Sequence, residues 1–140
     1  MKKNRFSIRL KPRFFDLDVY RHVNNAAYLT FLEEARAAYC QELDLFFRPG
    51  SGIGFVIARA ELEFKAPVGF GEELEIFIHS RNWARHRFEF AYRLESLTKE
   101  RLVMKAKTVC VCYDLQADKA APLPQRERRI METYEEVEGG

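Results

Sequence analysis

At 140 residues the chain is too short to split into halves that each bury a core, so it reads as a single domain. Its 23 basic and 21 acidic residues leave a net charge of +2, too little for charge alone to argue for nucleic acid or a membrane surface as a partner. The three cysteines, Cys40, Cys110 and Cys112, are odd in number and match neither a disulfide framework nor a zinc knuckle. On a strand, Cys110 and Cys112 share a face and pack as small apolar groups. His22, His79 and His86 have no metal-ligand spacing. The first residues lack the apolar run of a signal peptide, and no stretch is long enough to cross a bilayer, which predicts a cytoplasmic protein.

Taken in chain order, Phe6, Ile8 and Leu10 alternate with polar residues and predict a strand that ends near Pro12. A polar, irregular stretch follows. Then Tyr28, Phe31, Leu32, Ala35, Tyr39 and Leu43 recur at three- and four-residue steps, predicting a helix with one apolar stripe. Asn24 or Asn25 supplies its cap. The helix fades by Asp44, before a turn at Pro49-Gly50-Ser51-Gly52.

Period two then takes over. Ala58 to Phe64, Leu74 to Ile78, Phe88 to Leu94 and Val103 to Tyr113 are the predicted strands, arranged as a meander. Residues 116–140 follow the core of about 4–115 as a Pro-containing loop and a short charged helix, frayed from Glu135 onward. The expected fold is α+β: one helix of roughly five turns laid on one sheet. The opposite face of the sheet carries Val109 and Val111 and needs either a polar surface or another subunit.

The chemistry-bearing segment is Asp16-Leu17-Asp18-Val19-Tyr20-Arg21-His22-Val23-Asn24-Asn25, directly before the helix. A helix start offers unpaired N–H groups and the positive end of the macrodipole. Such donors suit an oxyanion, and a carboxylate nearby suits a general base or a nucleophile. The same residues also fit a capped turn with no catalytic role.

The run from Asp16 to Arg36 resembles the signature of the hot-dog thioesterases of the 4-hydroxybenzoyl-CoA thioesterase family, and within it the bacterial long-chain acyl-CoA thioesterase III type. Phe64-Lys65-Ala66-Pro67, Gly71-Glu72-Glu73-Leu74 and Pro122-Leu123-Pro124 continue the resemblance over nearly the whole chain. It implies a long central helix wrapped by a five-stranded antiparallel sheet. It further implies an acyl-CoA substrate, and a dimer or tetramer whose pocket lies between subunits. Asp18 is then the catalytic carboxylate, the Asn25 N–H polarises the thioester carbonyl, and His22, Asn24 and Tyr28 shape the site. Asp16 matches less closely. Tyr20 and Arg21 stand where the 4-hydroxybenzoyl subgroup has a small residue and a glycine. No metal or cofactor is required, the CoA moiety being part of the substrate.

Arg81, Arg85, Arg87 and Lys65 are candidate ligands of the CoA phosphates, with Trp83 stacking on the adenine. Glu33 is a candidate to reach the site from the helix, and His86 shares the alternation of Phe88 and Phe90. Three other readings remain open: a thioesterase of acyl-carrier-protein substrates, a hot-dog dehydratase or hydratase, and a non-catalytic acyl-CoA-binding protein.

Overall fold

The computed structural model describes residues 6–46 and 52–139. The chain runs β1 (Phe6–Leu10), α1 (Asn25–Leu43), β2 (Ile53–Phe64), β3 (Leu74–Arg81), β4 (Arg87–Ser96), β5 (Arg101–Asp114), β6 (Lys119–Ala120) and α2 (Gln125–Gly139). Of the predicted turn after α1, Pro49 to Ser51 lie outside the described residues. β2 starts five residues before the alternating stretch because Ile53 to Ile57 is an apolar run, which hides any period.

All neighbours in the sheet are antiparallel, in the order β1-β3-β4-β5-β2, with β6 on β5. Only β3, β4 and β5 form the expected meander. β2 crosses to the far edge and pairs with β5, while β1 takes the place beside β3. A strand's own alternation says which side is buried, but not which strand accepts its hydrogen bonds. The sixth strand is a two-residue addition: Tyr113 and Asp114 pair with Ala120 and Lys119 where a loop was predicted.

The 19 residues of α1 make a rod about 28 Å long across the concave face of the sheet. Tyr28, Phe31, Leu32, Ala35 and Tyr39 point from it into a core completed by Ile76, Ile78, Phe88, Phe90 and Leu94. Aromatic edges interlock there, Tyr39 against Phe90 at 5.1 Å and Phe88 against Phe90 at 5.2 Å between ring centroids. Cys110 and Cys112 are fully buried on this face, and burial pushes both thiols up to about 12. Register shifts at residues 57/59 of β2 and 94/95 of β4 help the sheet to curve round the helix.

The convex face is charged. Arg81 pairs with Glu89 at 3.2 Å, Arg93 with Glu95 at 2.8 Å and Lys107 with Glu61 at 3.5 Å. Each pair is worth at most about 1 kcal/mol at the surface. Together they make this a polar face on which Val109 and Val111 sit half-buried.

The C-terminal helix departs most from expectation. α2 is fifteen residues long rather than short, and Glu135, expected to fray, is 2% exposed. Its Oε2 accepts from the Tyr39 hydroxyl at 2.6 Å and the Ser80 N–H at 2.9 Å. Burial, and then the Glu135 charge, drive the Tyr39 phenol far above its usual range. Near the start of α2, buried Glu127 accepts the Phe46 N–H at 3.2 Å, and Arg126 reaches the carbonyl of Asp44 at 2.9 Å. A charge-rich sequence hides this, since two of its glutamates face inward. Replacing Glu135 by alanine strands the Ser80 N–H and leaves the Tyr39 hydroxyl with Ser80 Oγ alone, at 2.8 Å, and is expected to cost about 1–3 kcal/mol in urea unfolding. A loss below about 0.5 kcal/mol would show that α2 is held by apolar packing alone.

Candidate active site

Residues 13–24 fold back on themselves in front of α1. Phe14–Asp16 make one 3-10 turn, Leu17 bridges to Val23, and the Asp18 N–H donates to the His22 carbonyl at 2.8 Å. Arg21 closes the turn with φ 63°, the left-handed region a glycine enters at least cost. Asp18 Oδ1 accepts the N–H groups of Tyr20 at 2.8 Å and His22 at 3.3 Å, which fixes its direction.

Asn24, not Asn25, is the cap. Its Oδ1 accepts the Ala27 N–H at 3.0 Å, while its own N–H and Nδ2 both donate to the Asp16 carbonyl, at 2.8 and 3.1 Å. Asn25 is therefore the first residue of α1, and its N–H has no acceptor among the described residues.

Asp18, His22, Asn25, Tyr28 and Lys65 line one cleft of about 370 Å³, closed on one side by Phe64, Ala66 and Pro67. Asp18, His22 and Asn25 are exposed to it, whereas Tyr28 forms its buried wall. Burial, then the charge of Glu72, push the Tyr28 phenol up to about 12, so it remains a neutral donor near pH 7. Lys65 stands at the rim in an ion pair with Glu63. An exposed carboxylate, unpaired first-turn amide and cationic rim are the elements needed to attack a carbonyl and hold its oxygen.

Sequence reasoning missed Glu72, noted only as part of a run. Its side chain is buried, accepting the Gly69 N–H and the Ser96 hydroxyl, each at 2.7 Å, with Lys99 at 3.4 Å. That carboxylate folds residues 66–71 against the loop that bears Asp18, where Val23 N–H meets the Val68 carbonyl at 2.8 Å and His22 bridges to Gly69. A glutamate beside a glycine gives no sign of burial; only the closure of the loop reveals it.

The other candidates lie elsewhere. Asp16 is buried and turned away from the cleft, its carboxylate held by the Arg13 N–H at 2.6 Å and guanidinium at 3.2 Å. Glu33 is on α1 but opens onto a different groove, beside Arg36 and Phe55. Arg81 pairs with Glu89 at the opposite end of the sheet. The register puts it five residues along β3 from the row that holds Phe64, about 17 Å away. Trp83 packs against the core there, while Arg85 and His86 are exposed. Charge and aromatic content said nothing of which end of the sheet they occupy.

A long helix wrapped by one antiparallel sheet, with a cleft where the helix begins, is the hot-dog architecture. The sequence matches the Thioesterase-like superfamily over residues 12–131, and the chain belongs to that superfamily. It is 30% identical over 125 residues to the long-chain acyl-CoA thioesterase FadM of Escherichia coli (strain K12), covering 89% of this chain and 95% of that one. It is 32% identical over 118 residues to the 1,4-dihydroxy-2-naphthoyl-CoA hydrolase of Synechococcus elongatus, covering 81% and 85%. The crystal structure of TT1821 from Thermus thermophilus superposes with a TM-score of 0.82 at 25% identity, covering 91% of this chain and 97% of that one. The fold also matches Slr0204, a 1,4-dihydroxy-2-naphthoyl-CoA thioesterase from Synechocystis, with a TM-score of 0.80 at 23% identity, covering 90% and 94%.

Glu72 carries a test of this arrangement. Burial raises its pKa, but the Gly69 N–H, the Ser96 hydroxyl and Lys99 outweigh that and hold it below the usual carboxylate value. Its stabilisation is present above the unfolded-state pKa of about 4.3 and fades as pH falls through the lower folded value. Glu72→Gln should therefore be less stable than the parent by about 1–3 kcal/mol at pH 7. The gap in urea midpoints should narrow below about pH 4, and a gap independent of pH would refute an ionised Glu72.

Proposed function

We propose that the protein hydrolyses acyl-CoA thioesters, with Asp18 as general base or nucleophile and the Asn25 N–H as oxyanion donor. The carrying observation is that an accessible carboxylate and an unpaired first-turn amide line one cleft. Membership of the Thioesterase-like superfamily, and the thioester hydrolases among its relatives, support the same chemistry.

In the general-base route, water attacks the acyl carbonyl and gives its proton to Asp18, while the carbonyl electrons move onto the oxygen facing Asn25. Collapse re-forms the carbonyl and breaks the C–S bond. The thiolate leaves and recovers the proton from Asp18. In the nucleophilic route Asp18 attacks first, the C–S bond breaks and the thiolate leaves. Water then opens the resulting anhydride to the free acid and the Asp18 carboxylate, its proton passing to the thiolate. A thiol has a pKa near 8.5, so the leaving group needs little acid assistance, which suits so sparse a set of side chains. Tyr28 supplies a neutral hydroxyl in the wall, His22 and Asn24 hold the loop, and Lys65 offers a cation to a CoA phosphate. Asp18→Asn should lower kcat/KM by about 100-fold or more in a thiol-release assay with long-chain and aryl acyl-CoAs. An unchanged rate would sink the assignment of Asp18, and tight binding with no thiol release would favour a carrier of acyl-CoA. Faster turnover of carrier-protein thioesters in the same assay would move the substrate from CoA to a carrier.

The reading extends to a dimer that completes the cleft. Among the described residues β2 pairs only with β5 and leaves a twelve-residue edge open, with Val56 43%, Ile57 37% and Phe64 43% exposed beside it and Leu29 49% exposed on α1. Such an edge invites pairing with a second copy. Light scattering should give at least a dimer at micromolar concentration, and a monomer would rule out the shared cleft.

A further inference from the structure

The α1 helix and the first half of β2 enclose a second hollow, a groove of about 540 Å³ floored by Ala37, Cys40, Leu45, Phe46, Phe55 and Ile57. Its size falls within the range of small-molecule sites, roughly 300–1,000 Å³. Among the described residues Arg36 is the cation that lines it, together with the acids Glu33 and Asp44, neither of which is within ion-pair distance of Arg36.

The state of that cation is unusual. Arg36 Nη1 donates to the Tyr92 hydroxyl at 3.1 Å, and that hydroxyl is 2.7 Å from Thr108 Oγ1, with Tyr92 and Thr108 both buried. No carboxylate lies within 4 Å of the guanidinium among the described residues. Tyr92 does not neutralise it: burial pushes this phenol up to about 12 although Arg36 opposes the shift, so it stays protonated near pH 7. Asp44, on the same groove, is engaged by Arg126 at 3.2 Å. The guanidinium has five N–H donors and one is committed, and a half-buried charge beside apolar walls is favoured by an anion that meets it in a fork.

The groove lies on the same α1–β2 side as the catalytic cleft. From Asn25 to Arg36 the helix rises about 16 Å at 1.5 Å per residue. An extended backbone advances about 3.6 Å in three bonds, so this span corresponds to roughly 13 bonds of a straight chain. We propose that the groove receives the far end of a long acyl chain and that Arg36 binds a carboxylate carried there. The preferred substrates are then CoA half-thioesters of long-chain dicarboxylic acids. The inference rests on the thioesterase reading for its substrate, while the anion site at Arg36 stands on its own geometry.

The test compares tetradecanedioyl-CoA with tetradecanoyl-CoA on the parent protein, Arg36→Gln and Arg36→Lys. Glutamine keeps a donor for Tyr92 and removes the charge; lysine keeps the charge and loses the fork. The parent should favour the dicarboxylic thioester about tenfold in kcat/KM, mainly through KM, the worth of one charge-assisted contact. Arg36→Gln should abolish that preference, the fall in kcat/KM for the dicarboxylic thioester exceeding any change for tetradecanoyl-CoA by about tenfold, and Arg36→Lys should restore part of it. Equal rates on the two thioesters in the parent, or an equal fall on both in Arg36→Gln, would overturn the proposal and leave Arg36 as a strut for Tyr92. A calorimetric titration with free tetradecanedioate, which carries a carboxylate at either end, reads the anion site without catalysis. About tenfold weaker binding to Arg36→Gln supports the site, and unchanged binding refutes it. If neither thioester releases thiol while tetradecanedioate binding still depends on Arg36, the hydrolase reading fails and the anion site remains.

Discussion

The arrangement turns on Asn24. With three hydrogen bonds this residue ties the Asp16 carbonyl to the first turn of α1, so that the loop bearing Asp18 and the helix bearing the Asn25 N–H are held as one unit. A capping side chain is worth about 1 kcal/mol to the helix it starts. Here the same atoms decide where a carboxylate sits relative to a backbone amide. Because Asn24 satisfies Ala27, the first amide of the helix is left for another acceptor. A cap that had engaged Asn25 itself would have consumed it.

Buried carboxylates do the complementary work. Asp16 closes its own turn, Glu72 secures the loop on the other side of the cleft, and Glu127 and Glu135 fasten α2 to α1 and β3. Each satisfies backbone N–H groups that ladders and helices leave over, which is how a polar loop can lie against a core without orphaned donors. These acids are enclosed and hydrogen-bonded where they build, whereas Asp18 is exposed and its side chain faces the cleft.

Division of the two sheet faces follows the same economy. The concave face is filled by α1 and the aromatic cluster, and the convex face is covered by cross-strand ion pairs that keep it hydrated. Apolar exposure is left along β2 and the adjoining side of α1, next to both hollows. The exposed apolar edge and the two hollows are therefore contiguous.

By itself the sequence determined β1, α1 and the cores of β3, β4 and β5 with their inward faces, because a period of two or of 3.6 is a property of neighbouring residues. The alternation of Ala58, Ala60 and Phe64 in β2, by contrast, lies on an exposed edge. Phe88, Phe90, Tyr92 and Leu94 could be assigned to the core without partners, and Asp18 with the helix start could be read from one short run. Strand order, the inward turn of Glu72 and Glu135, the withdrawal of Asp16 and the distance between Arg81 and the cleft were settled only by tertiary structure. All of these depend on contacts between residues far apart in the chain, and a charged side chain has the same local pattern whether it meets water or a buried N–H. Burial of charge is decided by what the rest of the fold leaves unpaired.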